Sequence, residues 1–135
     1  MASRISTKPR SPRAVAARVA PCLQLRIRVR LGDVVAIGPG KISLLEAVRE
    51  HGSISAGARA LGMSYRRAWL LLDELNASLS TPAMVTSQGG RSGGGASLTE
   101  GGEALVALYR RIETEALAAT KRDTARMLRL LARRG

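Results

Sequence analysis

The chain has 135 residues, with 22 Lys and Arg against 10 Asp and Glu, a formal net charge of +12. That length suits one domain with or without tails, and with 45% apolar residues, 2% aromatic and no Phe, its core must be built from Ala, Leu, Val and Ile. A single Cys (Cys22) excludes a disulfide framework, and one Cys with one His (His51) cannot assemble a structural zinc site.

Residues 1–20 carry Arg4, Lys8, Arg10, Arg13 and Arg18 and no acid. Without a periodic apolar pattern they read as a disordered basic arm. A solvated tail, or a start resembling an organellar transit peptide, are the alternatives. The segment 121–135 holds six basic residues against Asp123, so each tail contributes +5 and residues 21–120 only +2. The expected layout is a basic arm at 1–20, a folded domain at 21–120 and a basic helical extension at 121–135.

From Leu23 to Leu31 apolar and polar residues alternate strictly, the signal of a half-buried strand with Gln24, Arg26, Arg28 and Arg30 outward. Gly32-Asp33 offers a turn into Val34–Ile37, predicting a hairpin. After the breaker Gly38-Pro39-Gly40, Ile42, Leu44, Leu45 and Val48 predict a helix over 41–51 ended by Gly52. His51 falls in its last turn, where a cation suits the helix dipole.

The stretch 53–75 is the most informative. Ser53 or Ser55 can cap a short helix through Leu61, and Gly62 supplies the positive φ of a tight turn. Ser64 can cap a second helix to about Leu79. Ala58 is small where the helices cross; Leu61, Met63, Ala68 and Leu71 supply apolar contacts about the turn, with Leu72 and Leu75 continuing the inward face. This spacing predicts a helix–turn–helix, whose second helix enters the major groove by its N-terminal residues. Tyr65, Arg66 and Arg67 crowd that terminus, where two Arg oppose the macrodipole at a cost of a few tenths of a kcal/mol each, roughly. Arg bonds guanine O6 and N7 bidentately, and Tyr and Ser reach phosphates or base edges. The plain alternative is a two-helix corner with solvated Arg. Trp69, the sole Trp, reads as core or interface packing.

Met84–Ser87 and Ala96–Thr99 flank a glycine-rich loop containing Arg91, a β-hairpin placed as a wing. Arg91 would reach a phosphate or the minor groove. The loop lacks the Lys-Ser/Thr of a P-loop, because Gly95 leads into Ala96-Ser97. Thr99 can cap a long amphipathic helix bearing Leu105, Leu108, Tyr109, Ile112, Ala116 and Ala119, continuing through Met127, Leu128 and Leu131. Its stripe exceeds what one subunit covers and predicts a dimer seam; a helix folded back on its own domain is the alternative.

The expected fold is mainly α with small β hairpins, a winged helix–turn–helix with a long C-terminal dimerisation helix. No His–carboxylate or Cys–His pair is available for catalysis, and the adjacent Asp73 and Glu74 read as solvated, so no enzyme, cofactor or metal is expected. No apolar run approaches the ~20 residues that span a bilayer and no signal-peptide core follows Met1, so the expectation is a soluble cytoplasmic protein with no membrane partner.

The blocks Gly40-Lys-Ile-Ser-Leu-Leu-Glu-Ala-Val48, Gly52-Ser-Ile-Ser-Ala-Gly-Ala58, Met63-Ser-Tyr-Arg-Arg-Ala-Trp69 and Gly89-Gly-Arg-Ser-Gly-Gly-Gly-Ala-Ser-Leu-Thr99 followed by Gly102 resemble the N-terminal DNA-binding domain of the ModE family, molybdate-responsive bacterial transcriptional regulators. The helix–turn–helix alone is shared with LysR-type regulators. The resemblance covers roughly residues 23–118. It implies a winged helix, a homodimer through the terminal helices, and an inverted-repeat operator in double-stranded DNA near molybdenum-related genes in a bacterial nucleoid. Full-length members continue into molybdate-binding domains and this sequence stops at Gly135, so the expectation is a regulator without its own oxyanion-sensing domain, any sensing falling to a separate protein. The candidate DNA-binding residues are Ser53, Ser55, Ser64, Tyr65, Arg66, Arg67 and Arg91. The alternative is a non-specific nucleoid-type nucleic-acid binder driven by its basic tails.

Overall fold

The structure, a computed structural model, describes residues 20–87 and 94–132. The arm expected at 1–20, save Ala20, and the wing tip with Arg91 lie outside the described residues. Two compact units divide the chain: Arg26–Thr114, and a second that gathers residues 20–25 and 115–132 among those described.

In the first unit, strands β1 (Val29–Leu31) and β2 (Val34–Ile37) pair antiparallel about Gly32, whose φ of 60° closes the turn. The strand expected over 23–31 is shorter than the alternation suggests. Leu23, Leu25 and Ile27 are half-buried with Gln24, Arg26 and Arg28 exposed, as the pattern requires, but Val29 and Leu31 are exposed. The physical reason is the partner: β2 offers four residues, and a bulge at Ala36 shifts its register against Val29 and Arg30. Ile27 is held by a side chain instead, its carbonyl accepting the Tyr109 hydroxyl at 2.8 Å.

Helix α1 (Pro39–His51) starts with Pro at its first position and ends on Gly52, left-handed at φ 82°, whose N–H donates to Val48 O at 2.7 Å. Helices α2 (Ile54–Ala60) and α3 (Tyr65–Ser78) follow, each capped by the predicted serine. Gly62 turns between them at φ 70°, and Met63 N–H returns to Ala58 O. Strands β3 (Met84–Ser87) and β4 (Gly95–Leu98) form the base of the wing, with Met84 opposite Leu98. Helix α4 (Glu100–Ala119) is capped by Thr99, whose Oγ1 accepts from Gly102 N–H at 3.0 Å and donates to Pro82 O at 2.7 Å.

The core sits where α1, α2 and α3 meet β3 and α4. Ile42, Leu44, Leu45, Val48, Ala58, Ala68, Leu72 and Leu75 are almost fully shielded, joined by Met84, Val106 and Tyr109. Truncating one such Leu to Ala costs about 2–5 kcal/mol. Leu61, expected at the turn contact, is exposed instead, because the left-handed Gly62 directs the chain away and Met63 fills the position. Two glycines allow the close approaches. A Cβ at Gly57 would meet Val48 N at 3.0 Å, and one at Gly102 would collide with Ala83 O.

In the second unit, α4 ends at Ala119 and α5 spans Lys121–Leu128. The uninterrupted helix expected through Leu131 is therefore broken at Thr120, where φ is −104° and ψ 10°. Thr120 Oγ1 donates to Ala116 O at 2.6 Å, the back-bonding that bends helices. The five helices and two small strand pairs among the described residues make a winged helix–turn–helix.

Candidate nucleic-acid interface

The N-terminus of α3 is assembled locally. Ser64 is extended, and its Oγ accepts the Arg67 N–H at 3.1 Å. This satisfies one orphan donor of the first turn and sets the helix start at Tyr65. Tyr65, Arg66 and Arg67 are all exposed, and among the described residues neither guanidinium lies within 4.0 Å of a carboxylate. Two cations beside the positive end of a helix are thus left without a compensating carboxylate among the described residues.

The other predicted residues divide. Ser53 caps α2, its Oγ accepting from Ala56 N–H at 3.0 Å, so that oxygen serves the fold. Ser55 is exposed on the first turn of α2, while Arg91 lies outside the described residues. Trp69 is not a core residue: it is 45% exposed and borders an open groove of about 390 Å³ with Ile54, Met84 and Val85. His51 ends α1, exposed, 4.0 Å from Glu50.

What holds α3 in place was less legible. Lys41 Nζ, on a side chain only 5% exposed, donates to Val35 O and to Glu74 Oε1, both at 2.6 Å. Glu74, expected to be solvated beside Asp73, therefore ties α3 to α1 and β2. Asn76 ties α3 to the wing: its Nδ2 donates to Met84 O and its Oδ1 accepts from Ala83 N–H. Ala96 N–H donates to Gly52 O at 2.9 Å, pinning β4 beside the start of the helix–turn–helix. Behind these, Arg110 grips Glu46 with two hydrogen bonds and Glu113 with a third. The guanidinium holds the Glu46 carboxyl below the usual carboxylate range, against the opposing effect of burial. Burial, followed by the Glu113 charge, pushes the Tyr109 hydroxyl up.

No group of three or more His, Cys, Asp or Glu among the described residues could hold a metal ion, and no described helix is long and apolar enough to cross a membrane. The geometry is that of a reading head: a capped, cationic helix start braced by a helix, a strand and a wing base. Proteins built this way are helix–turn–helix nucleic-acid readers.

Comparison with known proteins agrees. Residues 40–103 match the family of bacterial regulatory helix-turn-helix proteins of the lysR type, and the same part of the chain is similar to the N-terminal region of ModE proteins. The chain is 39% identical over 92 residues to the molybdenum transport protein ModE of Azotobacter vinelandii, covering 68% of this chain and 34% of that protein. It is 44% identical over 77 residues to the molybdenum-pterin-binding protein MopB of Rhodobacter capsulatus, 57% of this chain and 28% of that one. It is 36% identical over 86 residues to the DNA-binding transcriptional dual regulator ModE of Escherichia coli, 64% of this chain and 33% of that one. The chain thus spans about a third of the length of the curated relatives it matches.

Proposed function

We propose that the protein is a sequence-specific DNA-binding transcriptional regulator that acts as a homodimer in the bacterial cytoplasm, on the nucleoid. The observation that carries this reading is the start of α3, where Tyr65, Arg66 and Arg67 stand exposed behind the Ser64 cap, with no carboxylate paired to either Arg among the described residues. In this reading Tyr65, Arg66 and Arg67 contact base edges, Ser64 and the wing's Arg91 contact the backbone, and Ser53 and Ser55 approach it from the preceding helix. Leu108 and Ile112, 54% and 51% exposed on α4, support pairing of two copies. Two α3 helices would then enter successive major grooves about 34 Å apart on an inverted-repeat operator. The names of the relatives, two ModE proteins and a molybdenum-pterin-binding protein, support operators near molybdenum-related genes.

Selection of bound duplexes from a random pool, with and without molybdate, tests this. The expected result is one enriched palindrome, the same in both pools; no enrichment in either would refute it. The reading to be beaten is non-specific binding through the tails, favoured by the +5 at each end of the chain. Trimming residues 1–20 and 121–135 should flatten the salt dependence and leave operator preference in place. Loss of all binding would favour the tails.

A further inference from the structure

The outward line of α3 does not look like the solvated face of a surface helix. Ala68, Leu72 and Leu75 are its buried positions. At 100° per residue the opposite line runs Arg66, Leu70, Asp73 and Ala77, all exposed. Leu70 is 50% exposed in the middle of that line, flanked by Trp69 at 45% and Tyr65 at 55%. One exposed Leu means little by itself. Here three large apolar side chains are exposed with Arg66 on the first two turns of the helix, and among the described residues no carboxylate pairs with Arg66.

A base pair displays only one apolar group in the major groove, the 5-methyl of thymine. A Leu carried to the groove floor beside Arg66 has no other complementary partner among the base edges. From the interface proposed above, we infer that Leu70 is a specificity-determining residue that packs on a thymine methyl, so that each half-site carries a thymine beside the guanine bonded by Arg66. Four residues of helix advance about 6 Å, against about 3.4 Å per base pair, which sets the thymine within two base pairs of that guanine. Asp73, next on the line, marks where the DNA-facing surface ends, because its carboxylate repels phosphate. The pattern along α3 is thus hydrogen-bond donor, methyl contact, repulsion.

Replacing single thymines of the selected duplex with deoxyuridine removes the methyl and keeps every hydrogen bond. Wild-type protein should lose ~3- to 5-fold in affinity at one or two positions within two base pairs of an enriched guanine, the effect of one buried methyl. Leu70→Ala should bind the thymine duplex as weakly as wild type binds the uridine one and ignore the replacement. Leu70→Met, equally helix-forming and apolar, should restore the sensitivity. A specific operator with no uridine-sensitive position, or sensitivity unchanged in Leu70→Ala, would overturn the Leu70 assignment and leave the proposed function intact. No enriched duplex at all would overturn both.

Discussion

Lys41 and Glu74 meet at 2.6 Å, joining the first turn of α1 to the third turn of the reading helix, with the ammonium shielded and the carboxylate half-exposed. The two ends of this bond are not equivalent. Glu74→Gln leaves a shielded cation with only neutral acceptors, Val35 O and an amide oxygen, and no counter-charge. Lys41→Met removes that cation and lets Glu74 turn to water. Glu74→Gln is therefore expected to cost about 1–3 kcal/mol in urea unfolding, and more than Lys41→Met. Equal losses would contradict this account of the pair.

Gly101 and Gly102 are neighbours in α4 with opposite predicted responses. Alanine at Gly102 would drive its Cβ into Ala83 O, the same carbonyl that receives Thr99 N–H. Its contact is backbone, which cannot swing aside, so a loss of ~3 kcal/mol or more and a loosened wing base are expected. Alanine at Gly101 meets nothing closer than 3.5 Å. It should be neutral or stabilise by up to ~1 kcal/mol through helix propensity and the unfolded chain. Thermal melts of the two variants suffice to compare them.

The Arg110 cluster gives the fold an acid-sensitive joint. Glu46 is pulled below the usual carboxylate range by its bonds to Arg110. A depressed folded value means that the bonus is complete at neutral pH and is lost as pH falls from the ordinary carboxylate range through the lowered one. Unfolding followed across that window should show Glu46→Gln less stable than wild type at pH 7 and less dependent on pH below 5. Parallel profiles would rule the joint out.

Charges placed at Leu108 and Ile112 test the dimer. Both are large, apolar and about half-exposed on α4, and glutamate at either should leave the monomer folded while abolishing association. Sedimentation should show monomers, with cooperative binding to a two-half-site duplex lost. A wild-type monomer at all concentrations would contradict the seam.

These positions also show why some of the structure could be read in advance and some could not. The caps Ser53, Ser64 and Thr99 and the turn glycines Gly52 and Gly62 act through residues a few places away, so local chemistry revealed them. Lys41 was visible in principle, since it lies on the inward stripe of Leu44, Leu45 and Val48 at helical spacing; its charge argued the other way. Gly102, Asn76 and Arg110 act on partners brought close only by folding, at separations of 7 to 64 residues, and no local pattern marks them. The apolar period runs across Thr120 and predicts a continuing helix, whereas the backbone departs from helical geometry there, beside a side-chain bond to the preceding turn. Of the interface, the α3 start was legible because its charges oppose the helix dipole. The outward Leu70 emerged only when burial fixed which face was free.

In the proposed function α3 discriminates between sequences through Arg66 and Arg67, while the basic tails supply affinity. Competition titrations of the selected operator against a scrambled duplex, at one fixed salt concentration, measure that directly for wild type and for Arg66→Ala and Arg67→Ala. Each substitution is expected to lower the operator-to-scrambled affinity ratio by about 1–3 kcal/mol, with scrambled binding nearly unchanged. A ratio equal to wild type in both variants would contradict it.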